Sequence, residues 1–284
     1  MSFEFLVLEF RTIIDIEKPR FEIEPCERIL FVGSCFADRI GRRFQEERFP
    51  VTVNPYGVMY NPASVLHTIE RTMRGDECGG QTYTTAVLTL GTNHVYIEKA
   101  TGEIVDNCRK RPQRLFEERK LSVEECEEYL IRCVEQLRQH NPDIRIILTV
   151  SPIRYAKYGY HGSQLSKATL LLAIDKLLSS SVGTETHLYY FPAYEIVNDE
   201  LRDYRFYAPD MLHPTEQAVE YIWQRLVDVC FSNSAKVYLS EWQPVKEALN
   251  HRPFNPDSEE YKEFMKKTQE KVQRISEKYP TFAR

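Results

Sequence analysis

Ser34 closes a short apolar run in the stretch FVGSCFADRIG, between Gly33 and Cys35, where a strand pattern gives way to a helical one. A serine at such a strand end could act as a nucleophile, but an unassisted hydroxyl is a weak one and needs a base. The base candidate is His213 in RFYAPDMLHPTEQAVEYI. Asp210 precedes it by three residues, so a single turn can bring the two side chains together. The carboxylate would accept from one imidazole nitrogen and leave the other free to take a hydroxyl proton. Taken alone, this pair is more often a capping arrangement, with Pro214 as the first helical residue.

Two other segments end in groups suited to an oxyanion hole: Gly91 and Asn93 in LTLGTNHVY, and Gly57 in VNPYGVMYNP. An asparagine amide or a glycine N–H is typically worth about 100- to 1000-fold in rate at such a site. His94 is placed to line a pocket beside Asn93. In TVSPIRYAKYGYHG, Arg154, Tyr155 and Tyr158 either line the substrate opening or form a loop over the sheet. Cys35 is the rival nucleophile, since a thiol at a helix N-terminus can have a lowered pKa. Neighbouring residues at a turn point in different directions, so one of the two faces His213; Ser34 is preferred, with Cys35 packed beneath the turn.

These residues need a frame to hold them. RILFVG, AVLTLG, IRIILTVS and THLYYFPA have the length and aliphatic content of buried strands. Helical patterns lie between them. In LSVEECEEYLIRCVEQLRQHNP, Ser122 and Glu125 form a capping box and Val123, Cys126, Leu130, Cys133, Val134 and Leu137 share a face. Further helices are expected from about Ser163 and from Pro214. Strand–helix alternation implies parallel strands with right-handed crossovers, an α/β layered sheet whose chemistry gathers at the carboxyl ends of its strands. Tyr83 to Val105 reads as strands joined by a turn at Thr101 and Gly102, and CRKRPQR from Cys108 as a solvated loop. After Phe231 the chain becomes charged and proline-broken, so the expected division is a domain over 1–232 and a helical tail over 233–284. In the tail, Tyr261, Phe264, Met265, Val272 and Ile275 form a stripe that docks on the domain or on a partner chain.

With 284 residues, 42% hydrophobic and 28% charged, the chain can bury one substantial core. A net charge of -5 without long blocks of one sign gives no footprint for nucleic acid or a membrane surface. The first residues lack the basic start of a signal peptide, so a cytoplasmic location is expected. Seven cysteines without CxxC spacing argue against a disulfide framework or a zinc ribbon, and no HExxH occurs. No cofactor or metal is expected.

The segments GSCFA (Gly33 to Ala37), NPYGVMYNP, GTNHVY, NCRKRP, LTVSPIRY, SKATLL and YFPAYEIVNDELRDYRFYAPDMLHP resemble the GSCFA family, a branch of the SGNH (GDSL-like) hydrolases, over roughly residues 20–232. That resemblance implies a flavodoxin-like three-layer α/β/α sandwich. It also implies Ser34 as nucleophile, His213 as base, Asp210 as its orienting acid, and Gly57 and Asn93 beside the Ser34 N–H at the oxyanion hole. The family pattern has histidines where this chain carries Arg109 and Tyr155, so these two positions are expected to bear on specificity. The leading expectation is a serine esterase removing an O-acyl group, acetyl among the candidates, from a carbohydrate or other small polar substrate. An acyltransferase on the same residues and a non-catalytic binding protein are the alternatives.

Overall fold

The computed structural model describes residues 10–75, 82–106, 108, 111–184 and 187–282. Arg109, one of the expected substrate contacts, lies outside the described residues. In chain order the elements are β1 (Ile29–Gly33), α1 (Cys35–Glu46), β2 (Val51–Val53), α2 (Pro62–Arg74), β3 (Thr85–Leu90), β4 (His94–Glu98), β5 (Ile104–Val105) and β6 (Phe116–Lys120). There follow α3 (Val123–His140), β7 (Arg145–Val150), α4 (Gly159–Ser179), α5 (Ser181–Thr184), β8 (Leu188–Tyr190), α6 (Ala193–Glu195), α7 (Glu216–Cys230), α8 (Asn233–Asn250) and α9 (Glu259–Lys278).

The central sheet is parallel, in the order β2-β1-β3-β7-β8. Its strands are apolar on both faces because helices cover both. Leu30 and Val32 of β1, with alternate residues of β3 and β7, pack against α2, α3 and α4. Ile29 and Phe31 turn the other way, onto α1 and α7. The fold is thus a three-layer α/β/α sandwich with additional C-terminal helices. A second sheet, β5-β4-β6, is antiparallel and grows from the end of β3.

The α3 capping box forms as read, with Ser122 Oγ accepting from Glu125 N–H and Glu125 Oε2 accepting from Ser122 N–H. Four features differ from the sequence reading. The fourth helix begins at Gly159, four residues before Ser163. Helix α7 begins at Glu216, because the Thr215 hydroxyl caps Ala218 N–H while Pro214 bridges back to Tyr207. The charged run FEERK after the basic loop is a strand, paired along its whole length with β4. Helix α8 continues through Pro244, since Ser232 caps it and Tyr238 and Trp242 are buried against α1 and its following turn. Burial of that size outweighs the roughly 3 kcal/mol that an internal proline costs.

Candidate active site

The turn at Ser34 is built from three strands. Gly33 takes φ +144°, and a Cβ there would lie 2.1 Å from the Thr89 carbonyl oxygen, so only glycine lets β1 and β3 close together at this point. Its N–H donates to Asn54 Oδ1 at 2.8 Å and its carbonyl accepts from Met59 N–H at 2.8 Å. Asn54, just past β2, also donates to Asp38 Oδ1 at 2.6 Å, which ties the turn to α1.

Ser34 is the N-cap of α1, its Oγ accepting from Phe36 N–H at 3.2 Å. The same Oγ shares a 2.9 Å hydrogen bond with Thr89 Oγ1, and the Ser34 N–H donates to the Thr89 carbonyl and hydroxyl. The residue is 1% exposed. Its hydroxyl faces β3 here, and a rotation about χ1 is what would turn it toward another partner. Cys35 is half-buried, packed against the α1 core on one side, with Sγ 3.3 Å from the Tyr60 hydroxyl on the other.

Asp210 and His213 meet within one loop turn, ahead of α7 rather than inside it. His213 Nδ1 lies 2.6 Å from Asp210 Oδ2, while Asp210 Oδ1 accepts from the N–H groups of Leu212 and His213 at 2.9 and 3.0 Å. Those two N–H bonds, and then the imidazole, hold the Asp210 carboxyl far below the usual carboxylate range. A carboxylate can only accept, so His213 Nδ1 carries a proton and Nε2 is the nitrogen left to exchange one with another group. Met211, between them, sits at φ +58°, a strained conformation for a side chain of its size. Among the described residues, His213 makes no hydrogen bond to Ser34.

The three expected oxyanion donors are all engaged. The Ser34 N–H is held by Thr89, and the Gly57 N–H closes a turn on the Asn54 carbonyl at 2.8 Å, with Gly57 at φ +93°. The Asn93 amide gives one of its two protons to the Leu121 carbonyl at 2.7 Å. Ser166 Oγ binds Asn93 Oδ1 and N–H, each at 2.9 Å, and also Thr92 Oγ1. The next residue, Lys167, is 2% exposed; its Nζ donates to the carbonyls of Gly91 and Ser151, just past β3 and β7. Burial pulls that ammonium's pKa down to about 7. Nothing in the local sequence marks Thr89 or Asn54 for these contacts, while Ser166 and Lys167 lie in the SKATLL segment, whose pattern does not say what the two side chains bind.

His94 is 5% exposed, its ring stacked on Tyr158 with centroids 3.6 Å apart. Burial, reinforced by Lys120 and Lys157, pulls its pKa down to about 4. Tyr155 bridges Tyr158 and Tyr60, giving a row of rings from Cys35 to His94. Arg154 turns elsewhere: its Nη1 donates to the Met211 carbonyl at 3.1 Å, and its guanidinium lies over Tyr160 and Tyr207. A cavity of about 550 Å³ along β8, between residues 14–20 and 188–190, is lined by none of these groups. Among the described residues no cluster of three or more His, Cys, Asp or Glu is placed to hold a metal ion.

The sequence profile of the GSCFA family matches residues 28–85 and 79–226, and that of the GSCFA domain protein C-terminal domain matches 242–283. No curated protein matches the chain in sequence. Among solved structures, a GDSL-like lipase from Parabacteroides merdae aligns at 13% identity and TM-score 0.47, covering 74% of this chain and 100% of that one. A carbohydrate esterase family 3 protein from Talaromyces cellulolyticus aligns at 10% identity and TM-score 0.41, over 70% of this chain and 94% of that one. A catalytic mutant of an acetylxylan esterase from Geobacillus stearothermophilus aligns at 13% identity and TM-score 0.44, over 75% and 98%.

Proposed function

The chain belongs to the GSCFA family, and from that premise we propose that it is a serine esterase that removes a short acyl group, such as acetyl, from a carbohydrate or other small polar alcohol. The observation that carries this reading is the Asp210–His213 pair, with Nδ1 bound to a carboxyl held far below its usual range and Nε2 left to act as a base, in a loop tied to the carboxyl end of β7, the same sheet edge at which Ser34 follows β1. Ser34 Oγ, turned from Thr89, attacks the acyl carbon while His213 Nε2 takes its proton. The tetrahedral oxyanion collapses, the C–O bond to the alcohol breaks, and His213 returns the proton to the leaving oxygen. Water then attacks the acyl-enzyme with His213 again as base, releasing the acid and restoring the Ser34 hydroxyl.

Asn93, whose amide keeps a second proton beside the one given to Leu121, is taken as an oxyanion donor together with the Gly57 and Ser34 N–H groups, which would serve by sharing their present bonds. His94 and Tyr155 are assigned to the substrate side. An acyltransferase differs only in the hydroxyl that resolves the acyl-enzyme. Hydrolysis of 4-nitrophenyl acetate by wild type but by neither Ser34→Ala nor His213→Ala supports the reading; equal rates in all three contradict it. Acetylated acceptor sugars among the products would reassign the second step to transfer.

A further inference from the structure

The loop that carries Asp210 and His213 is closed almost entirely upon itself. Ala208 N–H donates to the His213 carbonyl, Met211 N–H to the Ala208 carbonyl, Leu212 and His213 N–H groups to Asp210, and Tyr207 bridges Pro214. Internal bonds fix the loop's shape but not its position over the sheet. Among the described residues, the hydrogen bonds that cross from the loop to the sheet's carboxyl edge come from one residue. Arg154, four residues past β7, donates its backbone N–H to the Leu212 carbonyl at 3.0 Å and its side-chain Nη1 to the Met211 carbonyl at 3.1 Å, the one of the two bonds that a substitution removes. Its guanidinium also lies over the Tyr207 ring at the loop's base, 5.3 Å from the centroid.

We propose that Arg154 is a positioning residue, a latch that sets where His213 stands relative to Ser34, and not a substrate contact. The Arg154 backbone holds the Leu212 carbonyl and its guanidinium holds the carbonyl of the strained Met211, the two residues between Asp210 and His213, so the side-chain bond acts where a small displacement moves the imidazole most. A planar, always charged guanidinium can hold a carbonyl and cover an aromatic face at once, which an ammonium cannot do as well. Because Ser34 lies just past β1 and the latch is rooted past β7, with β3 between those strands, the sheet itself becomes the ruler for the Ser34-to-His213 distance.

This inference rests on the esterase reading of His213, so its test has one readout that does not need turnover. Hydrogen–deuterium exchange of the full-length chain should show faster exchange over residues 207–214 in Arg154→Ala, with the sheet strands unchanged. On 4-nitrophenyl acetate the same variant should lose about 100-fold in kcat with little change in KM, the scale set by an ångström-sized misplacement. Arg154→Lys should recover part of that rate, and added guanidinium ion should partly rescue Arg154→Ala but not Ser34→Ala. Unaltered exchange in Arg154→Ala, or a rise in KM at constant kcat, overturns the latch. An inactive wild type with faster exchange in the variant upholds the mechanical tie and instead overturns the esterase reading.

Discussion

Single atoms decide whether this turn exists. At Gly33, even a methyl group would meet the Thr89 carbonyl at 2.1 Å, where the register of β1 on β3 leaves no room to yield. Gly33→Ala should therefore destabilise the protein by roughly 3 kcal/mol or more, checked by urea denaturation. His94 gives a prediction about acid. Its pKa is held down to about 4 by burial beside Lys120 and Lys157, whereas an unfolded histidine titrates near 6.5. The unfolded chain thus takes up a proton that the native state refuses. The His94 contribution is complete above about pH 6.5 and is lost as pH falls through the window down to about 4. His94→Phe should flatten the fall of denaturation free energy between those limits; an equally steep fall would contradict it. Asp210 with His213 was legible because three residues of sequence span the contact. Thr89 and Asn54 were not, since they reach the Ser34 turn from 55 and 21 residues away and nothing local marks them.

Elements place these atoms, and here the strand ends matter more than the strands. Ser166 and Lys167, one turn of α4, grip the Gly91–Asn93 loop and the exit of β7 together. A buried ammonium with two carbonyls and, among the described residues, no carboxylate partner costs desolvation free energy that an apolar side chain would avoid, so its worth lies in geometry. Lys167→Ala leaves both carbonyls without that donor and should cost roughly 2–5 kcal/mol. Ser166→Ala should lower kcat on 4-nitrophenyl acetate by about 10-fold or more through a loosened Asn93, and should cost roughly 1–3 kcal/mol of stability because the buried Asn93 N–H and Oδ1 lose that partner. An unchanged kcat would remove Asn93 from the oxyanion hole. Aliphatic strands and the amphipathic α3 were readable from period alone. β6 and α8 were not: FEERK is a charged edge strand stabilised by its partner β4, and α8 violates propensity at Pro244 because Tyr238 and Trp242 anchor it.

At the scale of the whole molecule, the C-terminal helices share the core of the sheet. Trp242, 1% exposed, belongs to one buried cluster with Phe44, Phe49, Trp223 and Phe231, and Phe282 stacks edge-on against it. The composition change at Phe231 could be seen in the sequence, but this continuity of packing could not. Trp242→Ala should cost about 3–5 kcal/mol. Denaturation followed by fluorescence and by far-ultraviolet circular dichroism should still show one coincident transition; two separated transitions would mean that the sheet and the helices after it unfold independently. No helix among the described residues is long and apolar enough to cross a membrane.

The central claim is that Ser34 is an activated nucleophile, and the most direct measurement is fluorophosphonate labelling of wild type, Ser34→Ala and Cys35→Ala, read by intact mass. One phosphonyl adduct on wild type and Cys35→Ala, and none on Ser34→Ala, is the result expected. Labelling that survives in Ser34→Ala, or is absent from wild type, would contradict it.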